Sequence, residues 1–167
     1  MPLVLRTVFA SAAPADTRRG AGPQNARFDG RSIDLSKGCG NAQSCVVLTP
    51  EVRCFTTHAE ADAFLGYDRA SDQAARTAQA TSCPSGWLCL YDGLNGAGRR
   101  LQFRDEYWNN LWEYDFARKA SSVWNNQGCS DGGALDEVPP GNTVEILSCA
   151  YYSNLLNWDN RATGVHG

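Results

Sequence analysis

The residues best suited to covalent chemistry in this chain are its seven cysteines: Cys39, Cys45, Cys54, Cys83, Cys89, Cys129 and Cys149. No two of them form the Cys-x-x-Cys pair typical of zinc sites, and the two histidines, His58 and His166, are far apart in sequence. So many cysteines are rare in a cytosolic protein of 167 residues unless they bind metal. The spacing therefore favours structural disulfides and export.

Local sequence favours three cysteine pairs: Cys45–Cys54, Cys83–Cys89 and Cys129–Cys149. The first pair flanks a turn at residues 49–51 and can face across a hairpin, the second encloses a short Pro-Ser-Gly segment, and the third is what remains. Cys39 is then unpaired, as a free thiol or as half of an intermolecular link. Each bridge would stabilise the fold by roughly 2–4 kcal/mol.

Other arrangements that could support catalysis are weaker. A Cys39–His58 pair is one, but His58 falls in the first turn of a short predicted helix and is expected to face solvent. Adjacent carboxylates occur at Asp105-Glu106 and Asp136-Glu137, and we interpret both pairs as solvated turn charges. The sequence has no metallopeptidase, serine-hydrolase or phosphate-loop motif. We therefore predict a protein that is not an enzyme.

Composition limits the classes of partner. The net charge of -3 argues against nucleic acid, because proteins that bind it usually carry a basic face. No apolar run reaches the roughly 18 residues that span a bilayer, so we expect no transmembrane segment.

All five tryptophans follow residue 82. They could form a sugar-binding face, although such residues more often fill the core of a small domain.

The chain divides into four segments. Residues 1–26 are predicted to be a flexible lead-in or the remnant of a signal peptide. Residues 27–69 are predicted to be a small, disulfide-held ββα unit: a weak strand over 27–35, a hairpin of 44–48 with 52–56, and a helix over 59–65 begun by a capping box. Residues 70–82 contain no large apolar side chain and are predicted to be a linker. In 83–167, short strands alternate with glycine and asparagine turns, which indicates a β-sandwich or barrel.

The second half contains a weak internal repeat. Residues 116–123 align with residues 158–165 at an offset of 42. Two units of about forty residues predict duplicated Greek keys packed face to face.

Several segments of this half resemble the βγ-crystallin-like peptidase inhibitor family I36 of actinobacteria: residues 83–91, 98–103, and 110–111 followed by 120–126. The resemblance covers about residues 83–167. It implies a mainly β protein with a βγ-crystallin-like double Greek-key sandwich, and residues 33–63 resemble an amino-terminal extension often found on such proteins. In those relatives an aromatic residue commonly stands at the position of Cys39, which agrees with an unpaired thiol.

The resemblance also implies the function. It indicates a secreted binding protein that inhibits a secreted peptidase, with thermolysin-like metallopeptidases as the family's founding target. The mechanism would be a rigid, disulfide-held loop that enters the active-site cleft, binds like a substrate and is cut slowly if at all. No segment here matches the family's short reactive loop, so the sequence assigns neither the inhibitory residues nor the oligomeric state.

Two family patterns are only partly kept. Tyr91, Gly96 and Gly98 fill the aromatic and glycine signature of a crystallin unit, but Gly96 replaces an aromatic residue, so looser hairpin packing is expected. The family's calcium pattern is lost in the first unit, where Arg118 replaces a ligand.

The second unit keeps three positions of the calcium pattern: Asp159, Asn160 and Thr163. They indicate one weak calcium site or, alternatively, only an Asx-type turn. No other cofactor is expected. The alternative functions are therefore a calcium-responsive or structural surface module without a peptidase partner, and a toxin-like or cell-wall-binding protein.

Overall fold

The computed structural model describes residues 25–72 and 82–167, so most of the predicted lead-in and linker lies outside the described residues. No helix in the described part is long and apolar enough to cross a membrane. The strands are β1 (Asn25–Phe28), β2 (Arg31–Ile33), β3 (Ser44–Leu48), β4 (Glu51–Phe55), β5 (Leu88–Tyr91), β6 (Arg100–Phe103), β7 (Trp108–Asn110), β8 (Ser122–Asn125), β9 (Gly133–Glu137), β10 (Asn142–Ile146), β11 (Tyr151–Tyr152) and β12 (Gly164–His166), and the helix α1 is His58–Phe64.

The strands form two sheets, one in the order β11-β8-β5-β6-β3-β4-β1-β2 and the other in the order β10-β9-β12-β7. Strands β5–β8 make a first unit and β9–β12 a second. Each unit places its third strand in the other unit's sheet, because β7 pairs with β12 and β11 pairs with β8. This exchange gives the βγ-crystallin-like double Greek key, and the predicted fold class is confirmed.

The internal repeat corresponds to an approximate two-fold relation between the units. Arg118 N–H donates to the Ala162 carbonyl at 2.7 Å, and Asn160 N–H donates to the Ala120 carbonyl at 2.9 Å. Arg118 and Asn160 both have a positive φ, of 60° and 56°. Two further reciprocal bonds, both of 2.9 Å, are Leu111 N to Thr163 O and Leu155 N to Ser121 O. These bonds tie together the segments that precede β8 and β12.

Strand β5 is apolar along its whole length because both of its faces are covered. Leu88 and Leu90 belong to the core between the sheets, whereas Cys89 and Tyr91 belong to a second cluster on the opposite face. The second cluster includes Ala61 of α1. The larger sheet therefore has the sandwich core on one side and the extension's helix on the other.

The amino-terminal extension continues the larger sheet, because β3 pairs in parallel with β6. Its β3–β4 hairpin is at the predicted place. The single strand predicted over 27–35 is wrong, since β1 and β2 form a second hairpin that turns at Asp29 (φ 51°) and Gly30 (φ 72°). The capping box is confirmed: the Thr57 hydroxyl accepts from Glu60 N–H, and the Glu60 carboxylate accepts from Thr57 N–H.

A buried ion pair joins this extension to the first unit. Arg100 lies next to the apolar Leu101 on β6, so its side chain points away from the sandwich core. Its fully buried guanidinium donates to Asp62 Oδ1 at 2.7 Å and to the Ser44 hydroxyl at 3.0 Å. Further acceptors are the Ser82 carbonyl, the Ser82 hydroxyl and the His58 carbonyl. One guanidinium thereby connects helix, sheet and the segment before Cys83.

We predict that Asp62→Ala lowers the free energy of unfolding by about 3–5 kcal/mol, because it leaves the Arg100 guanidinium buried without its counter-ion. The matched control is Lys37→Ala, which removes an exposed ion pair with Asp34 and is expected to leave the midpoint almost unchanged. Urea unfolding followed by tryptophan fluorescence measures both variants. Equal midpoints for Asp62→Ala and the unmodified protein would contradict this role of Arg100.

Candidate functional site

Six of the seven cysteines form the three pairs that the sequence favours. The sulfur–sulfur distances are 2.08 Å for Cys45–Cys54, 2.01 Å for Cys83–Cys89 and 1.99 Å for Cys129–Cys149. The first bridge joins directly opposite residues of β3 and β4. The second closes the loop that leads into β5, and the third ties the segment before β9 to the segment before β11. The bridges thus fix segments in the extension and in both units.

Cys39 carries the free thiol and is half-buried. Its sulfur lies 2.8 Å from Nη1 of Arg99, and the Arg99 guanidinium lies 4.8 Å from the centre of the Phe116 ring. Among the described contacts no hydrogen bond joins Cys39 to His58. The sequence-based Cys39–His58 pair is therefore not assembled in this arrangement.

The expectation that His58 faces solvent is wrong. Its Nε2 lies 3.0 Å from the Gly98 carbonyl and 3.2 Å from the Gln43 carbonyl, so the neutral ring donates from this nitrogen. Burial, with a smaller effect from the Arg100 guanidinium, holds the pKa of His58 below its usual value. The ring links the extension to the loop before β6.

The two adjacent carboxylate pairs lie in different surroundings. Asp105 follows β6, and its carboxylate accepts from the Tyr107 hydroxyl at 2.7 Å. The interpretation of Asp136 and Glu137 as solvated turn charges is wrong, because both are buried in β9. Arg161 Nη2 donates to Glu137 Oε2 at 2.5 Å, and this bond lowers the pKa of Glu137. Asp136 and Glu137 therefore do not form a pair of carboxylates that could act together as a catalytic acid and base.

The tryptophans do not form a continuous exposed face. Trp87 and Trp124 are buried in the second cluster. Trp108 and His166 make an edge-to-face contact, and Trp158 lies against Arg161. Both tryptophan rings are partly buried. Of the tryptophans in the described ranges, only Trp112 is more than half exposed, at 55%. A sugar-binding platform built from several rings is therefore not favoured.

An open cavity of about 300 Å³ lies in the extension. Its lining includes Phe28, Phe55 and the guanidiniums of Arg27 and Arg53. Both arginines bind one carboxylate, that of Glu51, at 3.1 Å. The two arginines of the cavity lining are thus paired within the extension.

The candidate calcium ligands lie in the segment that leads into β12. Asn160 has the left-handed conformation, with φ of 56°. Asp159 Oδ1 is buried and has no hydrogen-bond partner among the described residues. The Thr163 hydroxyl, in contrast, accepts from Val138 N–H at 2.8 Å and lies 3.3 Å from Asp136 Oδ1. Asp159 is therefore the one member of the set with a buried unpaired oxygen.

These residues fit a calcium ion poorly, since calcium takes about six to eight oxygen ligands. Arg161 already binds the Glu137 carboxylate of the adjacent strand. Gly164 stands where the pattern has a final serine, and a Cβ there would collide with the Asp136 carboxylate. Within the described ranges, no group of three His, Cys, Asp or Glu side chains is placed to hold a metal. The geometry favours a structural turn.

The sequence patterns did not single out the exposed leucines of two loops. Residues 93–98 join β5 to β6, and residues 153–160 precede β12. They carry Leu94, 47% exposed, and Leu156, 75% exposed. Asn95 N–H donates to the Ser153 carbonyl at 2.8 Å, so the loops adjoin. Periodicity cannot indicate such residues, because a loop tip is not part of a repeating element, although the Asn-Gly pair at 95–96 does predict a turn.

We predict that millimolar calcium leaves the melting temperature unchanged relative to the same protein in a chelator. Val138 N–H already occupies the Thr163 hydroxyl, so Asp159 and Asn160 offer too few of the six to eight oxygen ligands that calcium takes. Differential scanning fluorimetry over a calcium series measures this. A site with a Kd a hundredfold below the calcium concentration would instead stabilise the protein by about 2.7 kcal/mol. A saturable rise in melting temperature would therefore contradict the prediction.

Comparisons with known proteins give one structural match and one family match. No curated protein matches the chain. Among solved structures, the crystal structure of the N-terminal domain of protein S matches at 14% identity with a TM-score of 0.40, over 48% of this chain and 92% of that one. The model of peptidase inhibitor family I36 matches residues 76–131, which include the first unit of the sandwich. The first unit is thus identified, by family model as well as by motif, as similar to peptidase inhibitor family I36.

Proposed function

We propose that the protein is an exported inhibitor that binds a secreted peptidase and blocks its active-site cleft. The observation that carries the proposal is the match of residues 76–131 to peptidase inhibitor family I36. The resemblance to that family supplies the target class, thermolysin-like metallopeptidases. Three disulfides support export, because such bridges form and persist in oxidising compartments.

The fold provides the rigidity that inhibition by cleft binding requires. The exposed loops of the sandwich are held by reciprocal backbone hydrogen bonds between the two units. The Cys83–Cys89 and Cys129–Cys149 bridges close further segments of the same sandwich. A loop that is already ordered loses little conformational entropy on binding, so more of the contact energy contributes to affinity.

We predict that the oxidised protein inhibits thermolysin stoichiometrically. Residual hydrolysis of an internally quenched peptide should fall as the protein is added and approach zero near equimolarity. The same titration against several other secreted peptidases defines the specificity. The control is the protein after reduction and alkylation, which should lose inhibition because its loops are no longer clamped. Full activity of all these peptidases in the presence of equimolar oxidised protein would contradict the proposal.

A further inference from the structure

The two loops that carry Leu94 and Leu156 form one surface, which we call the leucine surface and define as residues 93–98 and 153–160. Asn95 N–H donates to the Ser153 carbonyl at 2.8 Å and joins the loops. Leu156 is 75% exposed and Leu94 is 47% exposed. Two large apolar side chains therefore stand on adjoining loops of a sandwich whose other leucines largely fill its core.

Leu156 is held in an unusual conformation. Its φ of 52° lies in the left-handed region, which a branched apolar side chain rarely enters. The Leu156 N–H donates to Asn154 Oδ1 at 2.7 Å, and the Leu156 carbonyl accepts from Asp159 N–H at 3.0 Å. The surrounding loop thus fixes an exposed leucine in a strained position that asparagine or glycine would adopt more easily. Such strain points to a role in function.

Both loops are anchored by hydrogen bonds to two consecutive residues: Ser121, just before β8, and Ser122, the first residue of that strand. The Ser121 carbonyl accepts from Leu155 N–H at 2.9 Å. The buried Ser122 hydroxyl donates to the Gly93 carbonyl at 2.6 Å and accepts from Gly96 N–H at 3.0 Å. The relative position of Leu94 and Leu156 is therefore set by the sandwich itself. The Ser122 hydroxyl thus holds both ends of the turn in which Gly96 stands at the aromatic position of the family pattern.

The residues around the two leucines are polar but mostly uncharged. The exposed neighbours in the 153–160 loop are Ser153, Asn154, Asn157 and Asn160. The centre of a protein interface typically contains apolar anchor residues and few charged residues, because charged groups cost the most free energy to remove from water. A convex pair of side chains on rigid loops matches a concave, apolar pocket.

We propose that the leucine surface is the inhibitory surface and that Leu156 enters an apolar side-chain pocket in the active-site cleft of the target metallopeptidase. This inference rests on the proposed function. It assigns binding to residues 93–98 and 153–160, which lie outside the segments that the three disulfides close. The disulfides then support the sandwich that carries these two loops.

The test compares Leu156→Asn with Leu147→Asn. Asparagine tolerates the left-handed conformation, so Leu156→Asn keeps the loop and removes only the apolar side chain. Leu147 is 64% exposed in the segment between β10 and β11 and is the matched control. With thermolysin as the probe, loss of a buried leucine side chain should raise the inhibition constant of Leu156→Asn roughly 10- to 100-fold, whereas Leu147→Asn should stay within about twofold.

Melting temperatures separate binding from folding. Leu156→Asn should melt at the same or a higher temperature than the unmodified protein, because it relieves an unfavourable φ. An unmodified protein that inhibits neither thermolysin nor any of the other secreted peptidases tested overturns the proposed function and this assignment with it. An unmodified protein that inhibits while Leu156→Asn inhibits equally well overturns the leucine surface alone. A variant that changes only the self-association of the free protein, seen by analytical ultracentrifugation, also overturns it.

Discussion

Exchange of one strand between the two four-stranded units determines where the exposed loops of the sandwich lie. Because β7 pairs with β12 and β11 pairs with β8, each sheet of the sandwich contains strands of both units. The segments before β8 and β12 then pass close to each other and exchange backbone hydrogen bonds. The loop that carries Leu156 begins at this crossing. Its rigidity is thus a consequence of the strand exchange.

The extension stabilises the same sheet from its other face. The His58 carbonyl and the Asp62 carboxylate of α1 meet the Arg100 guanidinium on the face of β6 that points away from the sandwich core. Asp62 supplies the counter-ion that lets this arginine be fully buried. The Tyr91 hydroxyl donates to the Ser82 carbonyl at 2.9 Å. The extension and the first unit therefore share one polar network, which makes the extension part of the framework behind the loops.

Features encoded by neighbouring residues could be predicted from the sequence. The Cys45–Cys54 hairpin, the capping box at Thr57 and the apolar strand β5 depend on local spacing, and the structure contains each of them. Features that depend on distant partners could not. Asp136 and Glu137 resemble turn residues in the sequence. Their partners, Thr163 and Arg161, follow them by more than twenty positions, so local spacing does not indicate these contacts. His58 is half-buried because its ring donates to the carbonyls of Gln43 and of Gly98 in the loop before β6, and the exposure of Leu156 follows from tertiary structure alone.

The most direct test of the account is hydrogen–deuterium exchange of the oxidised protein with and without an equimolar amount of a catalytically inactive thermolysin. If rigid loops of the sandwich fill the peptidase cleft, complex formation should slow amide exchange in residues 93–98 and 153–160 and leave the extension, residues 25–72, unchanged. Protection confined to the extension, or no protection anywhere, would contradict the account.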